Sequence, residues 1–405
     1  MLLNDLRVIE GSSFVAAPSC GLHLAQLGAE VIRFDTIGGG PDFRRWPRSE
    51  AGASFFWEGL NKGKKSIALD LRAQEGRELA AALITAPGSG AGLFVTNFPA
   101  AGFLAHDRLA ARRPDLLTVR IMGRADGSPG VDYTVNAALG LPFMTGPAET
   151  PKRPVNHVLP AWDLLAGAHA ALALLAAERH RLRTGVGQEI LLPLHDLAAA
   201  TLGTLGQIAE VTAAGRDRSA HGNALFGAFG RDFRTADSRL VMIVAITARQ
   251  WSGLVSALDL AQSITALEAE LCISFAQDEG LRFVHRDRLF PLVEAVVAGM
   301  SLPVLAARLD RDGVCWSPYR TLAEALAEDP DLSFANPLWS EVRHPGGHAY
   351  PTPGPAAAFG AFPREAAGRA PRLGEHTDEI LASILGLPDH AIAGLHDRGV
   401  VAASA

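Results

Sequence analysis

Leu6-Arg7-Val8-Ile9-Glu10, then Pro18 to Leu27, then Glu30-Val31-Ile32-Arg33-Phe34-Asp35 form the stretch on which the fold turns. The outer segments are short and apolar, with the β-branched residues that pack well on a pleated surface. Between them Pro18 opens a helical run, since its fixed φ suits a first turn, and Gly28 closes it. Strand, helix and strand in so short a span predict a βαβ unit with parallel strands. The alternation continues with strands expected at 66–71, 92–96 and 116–122 and a helix at 74–83. It implies a largely parallel α/β sheet, Rossmann-like and open, covered by helices on both faces.

Further along, a long helix is expected from Asp163 to about Arg183, ended by Thr184-Gly185-Val186-Gly187. A strand at 188–194 and a helix at 195–211 follow. Residues 215–239, rich in Gly, Arg and aromatics, read as a loop or domain crossing. A strand at 240–246 and helices over 250–309 come next. Residues 344–363 are dense in Gly and Pro and read as a connector, and 373–400 return to a helical pattern.

The 405 residues are 48% hydrophobic and 20% charged, enough for a well-buried core. The net charge of −6 and the scattered basic residues exclude a nucleic-acid footprint; the longest basic cluster is Lys62-Gly63-Lys64-Lys65. Cys20, Cys272 and Cys315 are too far apart for a CxxC pair, which fits a reducing, cytoplasmic setting. The start of the chain does not read as a signal peptide, with Asp5 and Arg7 inside it. The apolar run from Leu164 to Ala177 is too short to span a bilayer, so no membrane partner is expected.

Glycine clusters at 38–40 and 88–92 follow neither the GxGxxG nor the P-loop pattern, so the sheet carries no dinucleotide fingerprint. His344 and His348 are separated by Pro345-Gly346-Gly347, which rules out a shared helical face, and no metal is expected. Asp163 stands out, within Leu159-Pro160-Ala161-Trp162-Asp163-Leu164, where the long helix begins. Aspartate is a favoured N-cap, worth about 1 kcal/mol. The same backbone N–H groups can also stabilise an oxyanion formed when a carboxylate attacks a thioester. Position alone leaves both readings open.

Several ordered segments resemble the family III CoA-transferases, the group that includes formyl-CoA and carnitine CoA-transferases. They are the opening strand–helix–strand, Asn61-Lys62-Gly63-Lys64-Lys65-Ser66-Ile67-Ala68-Leu69-Asp70-Leu71-Arg72, the pair Asn97-Phe98, Asp163 with Gly167 and Thr184-Gly185-Val186-Gly187-Gln188, and Ala370-Pro371-Arg372-Leu373-Gly374-Glu375-His376-Thr377-Asp378. Within that family, residues 155–163 and 221–233 are similar to a group that shifts CoA between the two carboxyl groups of one C5 unsaturated dicarboxylic acid.

The resemblance implies Asp163 as nucleophile, with aspartyl anhydride and aspartyl-CoA thioester intermediates. It implies CoA contacts at Leu69, Asp70, Leu71, Arg72, Asn97 and Phe98, with CoA entering as part of the substrate and no bound cofactor. It further implies a large α/β domain at 1–215 and 331–405, a smaller α/β domain with linkers at 216–330, and an interlocked homodimer. Asn156, His157, His221, Asn223 and Arg231 are candidates to hold the idle carboxylate.

Three departures stand out. Val131 occupies the place of the racemase branch's histidine, so racemisation is disfavoured. Pro99 replaces an arginine that is common after the Asn-Phe pair. Thr36 and Ile37 replace basic residues near the nucleotide, which leaves Arg44, Arg45, Lys62, Lys64, Lys65 or Arg72 to meet the phosphates. Intermolecular transfer between two acids and a non-catalytic CoA-binding protein are the alternatives.

Overall fold

A computed structural model describes residues 1–99, 101–150 and 153–404. The chain folds as two compact units. The first comprises 1–139, 157–210 and 330–405, and the second 140–156 and 211–329. Residues 140–156, which the sequence reading left in the larger part, therefore group with the second unit.

Strands β1 (Arg7–Gly11), β2 (Glu30–Thr36), β3 (Lys65–Leu69), β4 (Leu93–Thr96), β5 (Leu117–Met122) and β6 (Gln188–Pro193) form the sheet of the first unit. With the closing strand β12 (Val401–Ala402), the spatial order is β12-β3-β2-β1-β4-β5-β6. All neighbouring pairs are parallel except β12 against β3. The strand order reverses between β1 and β4. In open α/β sheets the crevice at such a reversal, beyond the carboxyl ends of the strands, is where ligands bind.

The helices on this unit are α1 (Ala16–Gln26), α2 (Phe55–Leu60), α3 (Gln74–Ile84), α4 (His106–Ala110) and α5 (Asp132–Ala138). After α6 (Leu141–Met144), which belongs to the second unit, comes α7 (Ala161–Thr184). At 24 residues α7 is long and apolar enough to cross a membrane, against the shorter run seen in the sequence. Its buried face of Trp162, Ala166, Gly167, Ala170, Ala171 and Leu174 marks it instead as a core helix of this unit. A Cβ on Gly167 would fall 1.8 Å from Ser19 Oγ and 2.8 Å from the Ala16 carbonyl, so α1 and α7 meet almost backbone to backbone.

The core under the sheet joins Ile9, Ile32, Phe34, Ile67, Leu69 and Phe94 to Ile380, Leu381, Ile392, Leu395 and Val400 near the carboxyl end of the chain. The connector at 344–363 contains half of a hairpin, β10 (Trp339–Arg343) with β11 (Ala349–Pro353). Its Gly and Pro residues form the turn and the edge, positions that such residues tolerate.

In the second unit β7 (Phe229–Arg234), β8 (Leu240–Ala245) and β9 (Cys315–Pro318) make an antiparallel sheet. β7 lies inside the segment read as a loop: Phe229 and Phe233 alternate inward there, and the intervening polar residues hid the period. Five helices between Ala248 and Arg311 cover this sheet around Trp251, Phe275 and Phe290. The single helix expected at 195–211 is two, Leu194–Thr204 and Gln207–Ala214, broken at Gly206 with φ +74°.

Candidate active site

Asp163 is not the N-cap of α7. Pro160 holds that position without a side-chain bond, and Asp163 is the third helical residue. The capping carboxylate comes from Asp132, at the start of α5. Its Oδ2 accepts the N–H groups of Trp162 at 2.7 Å and Asp163 at 3.2 Å. The Ala161 N–H donates to the Leu159 carbonyl and the Leu164 N–H to Pro160. The first four N–H groups of α7 are thus occupied by protein acceptors, which bears on the oxyanion reading left open by position alone. Asp163 keeps its side chain out of the cap.

Gly167 touches Ala16 and Ser19, and Asp163 lies one turn earlier on the same face. Side chains on a helix lean toward its N-terminus, so Asp163 projects toward the loop between β1 and α1. That loop begins at the carboxyl end of β1, in the crevice of the strand-order reversal. The N-cap of α1, Val15, offers no side-chain bond, and the positive end of α1 faces the crevice.

Burial pushes the Asp163 carboxyl up to about 6, the neighbouring Asp132 carboxylate adds to the rise, and Arg45 opposes it. Asp132 is itself 2% exposed. His157 Nε2 lies 3.7 Å from Asp132 Oδ1, and His157 Nδ1 meets the Leu159 carbonyl. The Tyr133 ring tilts against His157 at 6.0 Å, and the Tyr133 hydroxyl donates to the Val158 carbonyl. Asp163, Asp132, His157 and Arg45 all belong to the first unit.

Asn97, expected to contact CoA, spends its amide on the crevice itself. Its Oδ1 accepts the Ser13 N–H at 2.9 Å and its Nδ2 donates to the Ser13 carbonyl at 2.7 Å. This ties the end of β4 to the loop after β1. Phe98 packs edge-on to Phe34 at 6.3 Å, in the core. Leu69 is fully buried. Leu71 leans on the same core. Asp70 accepts the Arg72 N–H and Nε, both at 3.1 Å, and the Arg72 side chain stands 92% exposed. Of these residues, Arg72 carries the cation; its Nε is paired with Asp70 and its exposed guanidinium extends into solvent, where a phosphate could meet it.

The lysine cluster divides. Lys64 is buried, and its Nζ reaches Glu10 Oε2 at 2.8 Å, the Pro18 carbonyl at 2.8 Å and Asn61 Oδ1 at 3.0 Å. Lys65 is held between Glu30 and Glu379. Neither is available to a phosphate. Lys62 is 8% exposed, and burial pulls its amine down to about 8. Arg44 and Arg372 instead line a cavity of about 670 Å³ in the first unit, with Ile37, Ala68, Trp57 and Pro371. Its volume falls in the range of small-molecule sites. Arg372 lies in the C-terminal motif and was missed as a site residue; its place next to Leu373-Gly374-Glu375 was the available signal.

Of the five carboxylate-anchor candidates, His157 belongs to the same unit as Asp163, and the other four belong to the second unit. His221, Asn223 and Arg231 line a separate cavity of about 860 Å³ within the second unit, together with Arg286. Burial, Arg286 and Arg218 hold the His221 imidazole below its usual range. Arg231 pairs with Glu294 at 3.1 Å. Asn156 is an exposed residue at the end of the 140–156 segment.

The chain has relatives among known proteins in both sequence and fold. The chain is 52% identical to the 2-methylfumaryl-CoA isomerase of Chloroflexus aurantiacus, over 99% of this chain and 98% of that protein. It is 28% identical to the succinyl-CoA–D-citramalate CoA-transferase of the same organism, over 98% of each chain. A CAIB/BAIF family protein from Brucella suis superposes with a TM-score of 0.74 at 26% identity, covering 94% of this chain and 98% of that one. The model of CoA-transferase family III matches residues 3–377, and the chain belongs to that family.

Proposed function

We propose that the protein moves CoA from one carboxyl group to the other within a single C5 unsaturated dicarboxylic acid, converting 2-methylfumaryl-CoA to 3-methylfumaryl-CoA. The observation that carries this reading is the 52% identity, end to end, with a 2-methylfumaryl-CoA isomerase. The site's chemistry supports it. A carboxyl near pH 6 is mostly ionised at neutral pH yet poorly solvated, which makes it a better nucleophile than a surface aspartate.

The Asp163 carboxylate attacks the thioester carbonyl, the C–S bond breaks, and CoA leaves as thiolate from a mixed anhydride. The thiolate attacks the aspartyl carbonyl and frees the acid, so CoA is stored as an aspartyl thioester. The acid's other carboxylate attacks that thioester and expels the thiolate again. The thiolate then takes the acyl group and Asp163 is regenerated. The positive end of α1 would stabilise the oxyanions. Arg44, Arg372 and Arg72 are the cations that would receive the phosphates of CoA.

The reading includes a cytoplasmic enzyme assembled as an interlocked homodimer. The exposed Leu172, Leu182 and Leu205 supply apolar surface that a second copy would cover. Cys20, Cys272 and Cys315 are all free thiols, as a reducing compartment keeps them. Intermolecular transfer is the second reading, favoured by the 28% identity to a succinyl-CoA-dependent transferase.

One experiment separates the two. 2-Methylfumaryl-CoA is incubated alone with the enzyme, with labelled free acid as a trap, and the 1- and 4-thioesters are followed. Isomerisation with negligible label uptake is the expected result; strict dependence on a second acid would overturn it.

A further inference from the structure

We propose that Arg45 is the anchor for the substrate's idle carboxylate, the one bonded to neither sulfur nor Asp163 at a given step. This rests on Asp163 being the nucleophile. The chemistry demands such an anchor, because the acid freed midway is a dianion that must stay while it presents its other end.

Arg45 follows β2 at the carboxyl edge of the sheet. Its backbone is committed: the N–H donates to the Asp42 carbonyl, and the carbonyl accepts the Ser54 hydroxyl. Its guanidinium is not. Among the described residues it forms no ion pair, although Arg33 and Lys64 are saturated with acidic and carbonyl partners. The guanidinium lies 5.3 Å from the centroid of the Phe14 ring and 5.3 Å from that of Phe56. Aromatic faces hold a guanidinium by its π surface and leave its N–H fork unused, the edge that grips a carboxylate in two parallel bonds.

The platform under Arg45 is rigid at a conformational cost. Phe14 sits at φ +65°, in the left-handed region that a bulky side chain avoids, and its ring is 41% exposed. Its N–H donates to Asp42 Oδ2 at 3.1 Å, and Asp42 is clamped by Arg33 Nη2 at 3.0 and 3.1 Å. Asn97 grips the preceding Ser13. Strain of this kind persists where surrounding structure over-determines it, and it clusters at ligand clamps.

Arg45 also acts on the reacting carboxyl, since its charge is the influence that opposes the rise at Asp163. It is close enough to be felt there and is not spent on an ion pair with Asp163. The adjacent Arg44 lines the 670 Å³ cavity instead. Two consecutive arginines therefore serve two anions, one in the nucleotide part of the substrate and one in its acid.

The test uses the whole enzyme, as wild type, Arg45→Met and Arg45→Lys. Each receives 2-methylfumaryl-CoA and a matched thioester whose distal carboxylate is a carboxamide. Formation of the CoA adduct on Asp163 is followed by intact-protein mass spectrometry. The preference for carboxylate over carboxamide should fall roughly 10- to 100-fold in Arg45→Met, with part of it returned by lysine. Uptake of labelled free acid into product should rise as retention is lost. An unchanged preference in Arg45→Met, with the wild-type adduct present, overturns the anchor and spares the nucleophile. Absence of the adduct in wild type overturns the nucleophile and the anchor with it. The preference is a ratio within one protein sample, so partial misfolding does not imitate the result.

Discussion

Two groups of charges lie within a few residues of each other, and they are built on opposite rules. Beneath the crevice, Glu10, Arg33, Asp35, Asp42 and Lys64 are nearly sealed from solvent, and each is paired. Burial would lower the Arg33 guanidinium, but Asp35, Asp42 and Glu10 outweigh it and hold the charge firmly on. At the crevice, Asp163 has another carboxylate for a neighbour and Arg45 has aromatic rings. Paired buried charges set geometry, because removing either partner strands the other. Charges left without a counter-ion are the ones able to meet a substrate, and the first group supports Arg45 through Asp42 and Phe14.

The sharpest way to break this contrast is to delete one member of each group. Asp163→Ala should lower turnover by about 10⁴-fold or more, as loss of a covalent nucleophile does. Its melting temperature should not fall. The folded Asp163 carboxyl stands above its unfolded value, so its contribution is favourable below the unfolded pKa and is lost as pH rises through about 6. At pH 8 its removal should therefore stabilise the fold, by about 1–2 kcal/mol after allowance for solvent screening. Arg33→Met should do the reverse. It leaves Asp35 and Asp42 buried without their cation, and thermal or urea unfolding should show a loss of about 3–5 kcal/mol. An Arg33→Met protein as stable as wild type would sink the distinction.

A finer test uses pH. Turnover limited by the Asp163 carboxylate should rise tenfold per pH unit below about 6 and level off above it. Replacing Asp132 with asparagine removes a negative neighbour, so the midpoint should move to lower pH; a midpoint that stays or rises would show that Asp132 does not act on Asp163. The smallest effect is expected at Asn97. Asn97→Ala deletes two bonds to the Ser13 backbone, at a cost of about 1–2 kcal/mol in unfolding free energy. An effect confined to KM, with stability intact, would return Asn97 to the role of a direct CoA contact.

Much of this architecture was legible in the chain. The strands expected at 30–35, 92–96, 116–122 and 188–194 lie within a residue or two of β2, β4, β5 and β6, because buried parallel strands are short apolar runs with sharp boundaries. The losses came where local pattern and tertiary role diverge. β7 alternates Arg and Asp with Phe on a single buried edge, and its Gly-rich flanks hid it. Lys62, Lys64 and Lys65 look equivalent in sequence, yet two are consumed by carboxylates drawn from distant segments. Asp163 looked like an N-cap because aspartate before an apolar helix usually is one; nothing local announces that Asp132, thirty-one positions away, has taken that work.

By itself, then, the sequence determined the open parallel sheet, the family and the aspartate at the head of the long helix. These depend on periodicity and on contiguous motifs, which survive without knowledge of any distant contact. Only the tertiary structure decided which charges are spent and which are available. An ion pair is a distance between residues remote in sequence, and Arg45 differs from Arg33 in nothing but its neighbours.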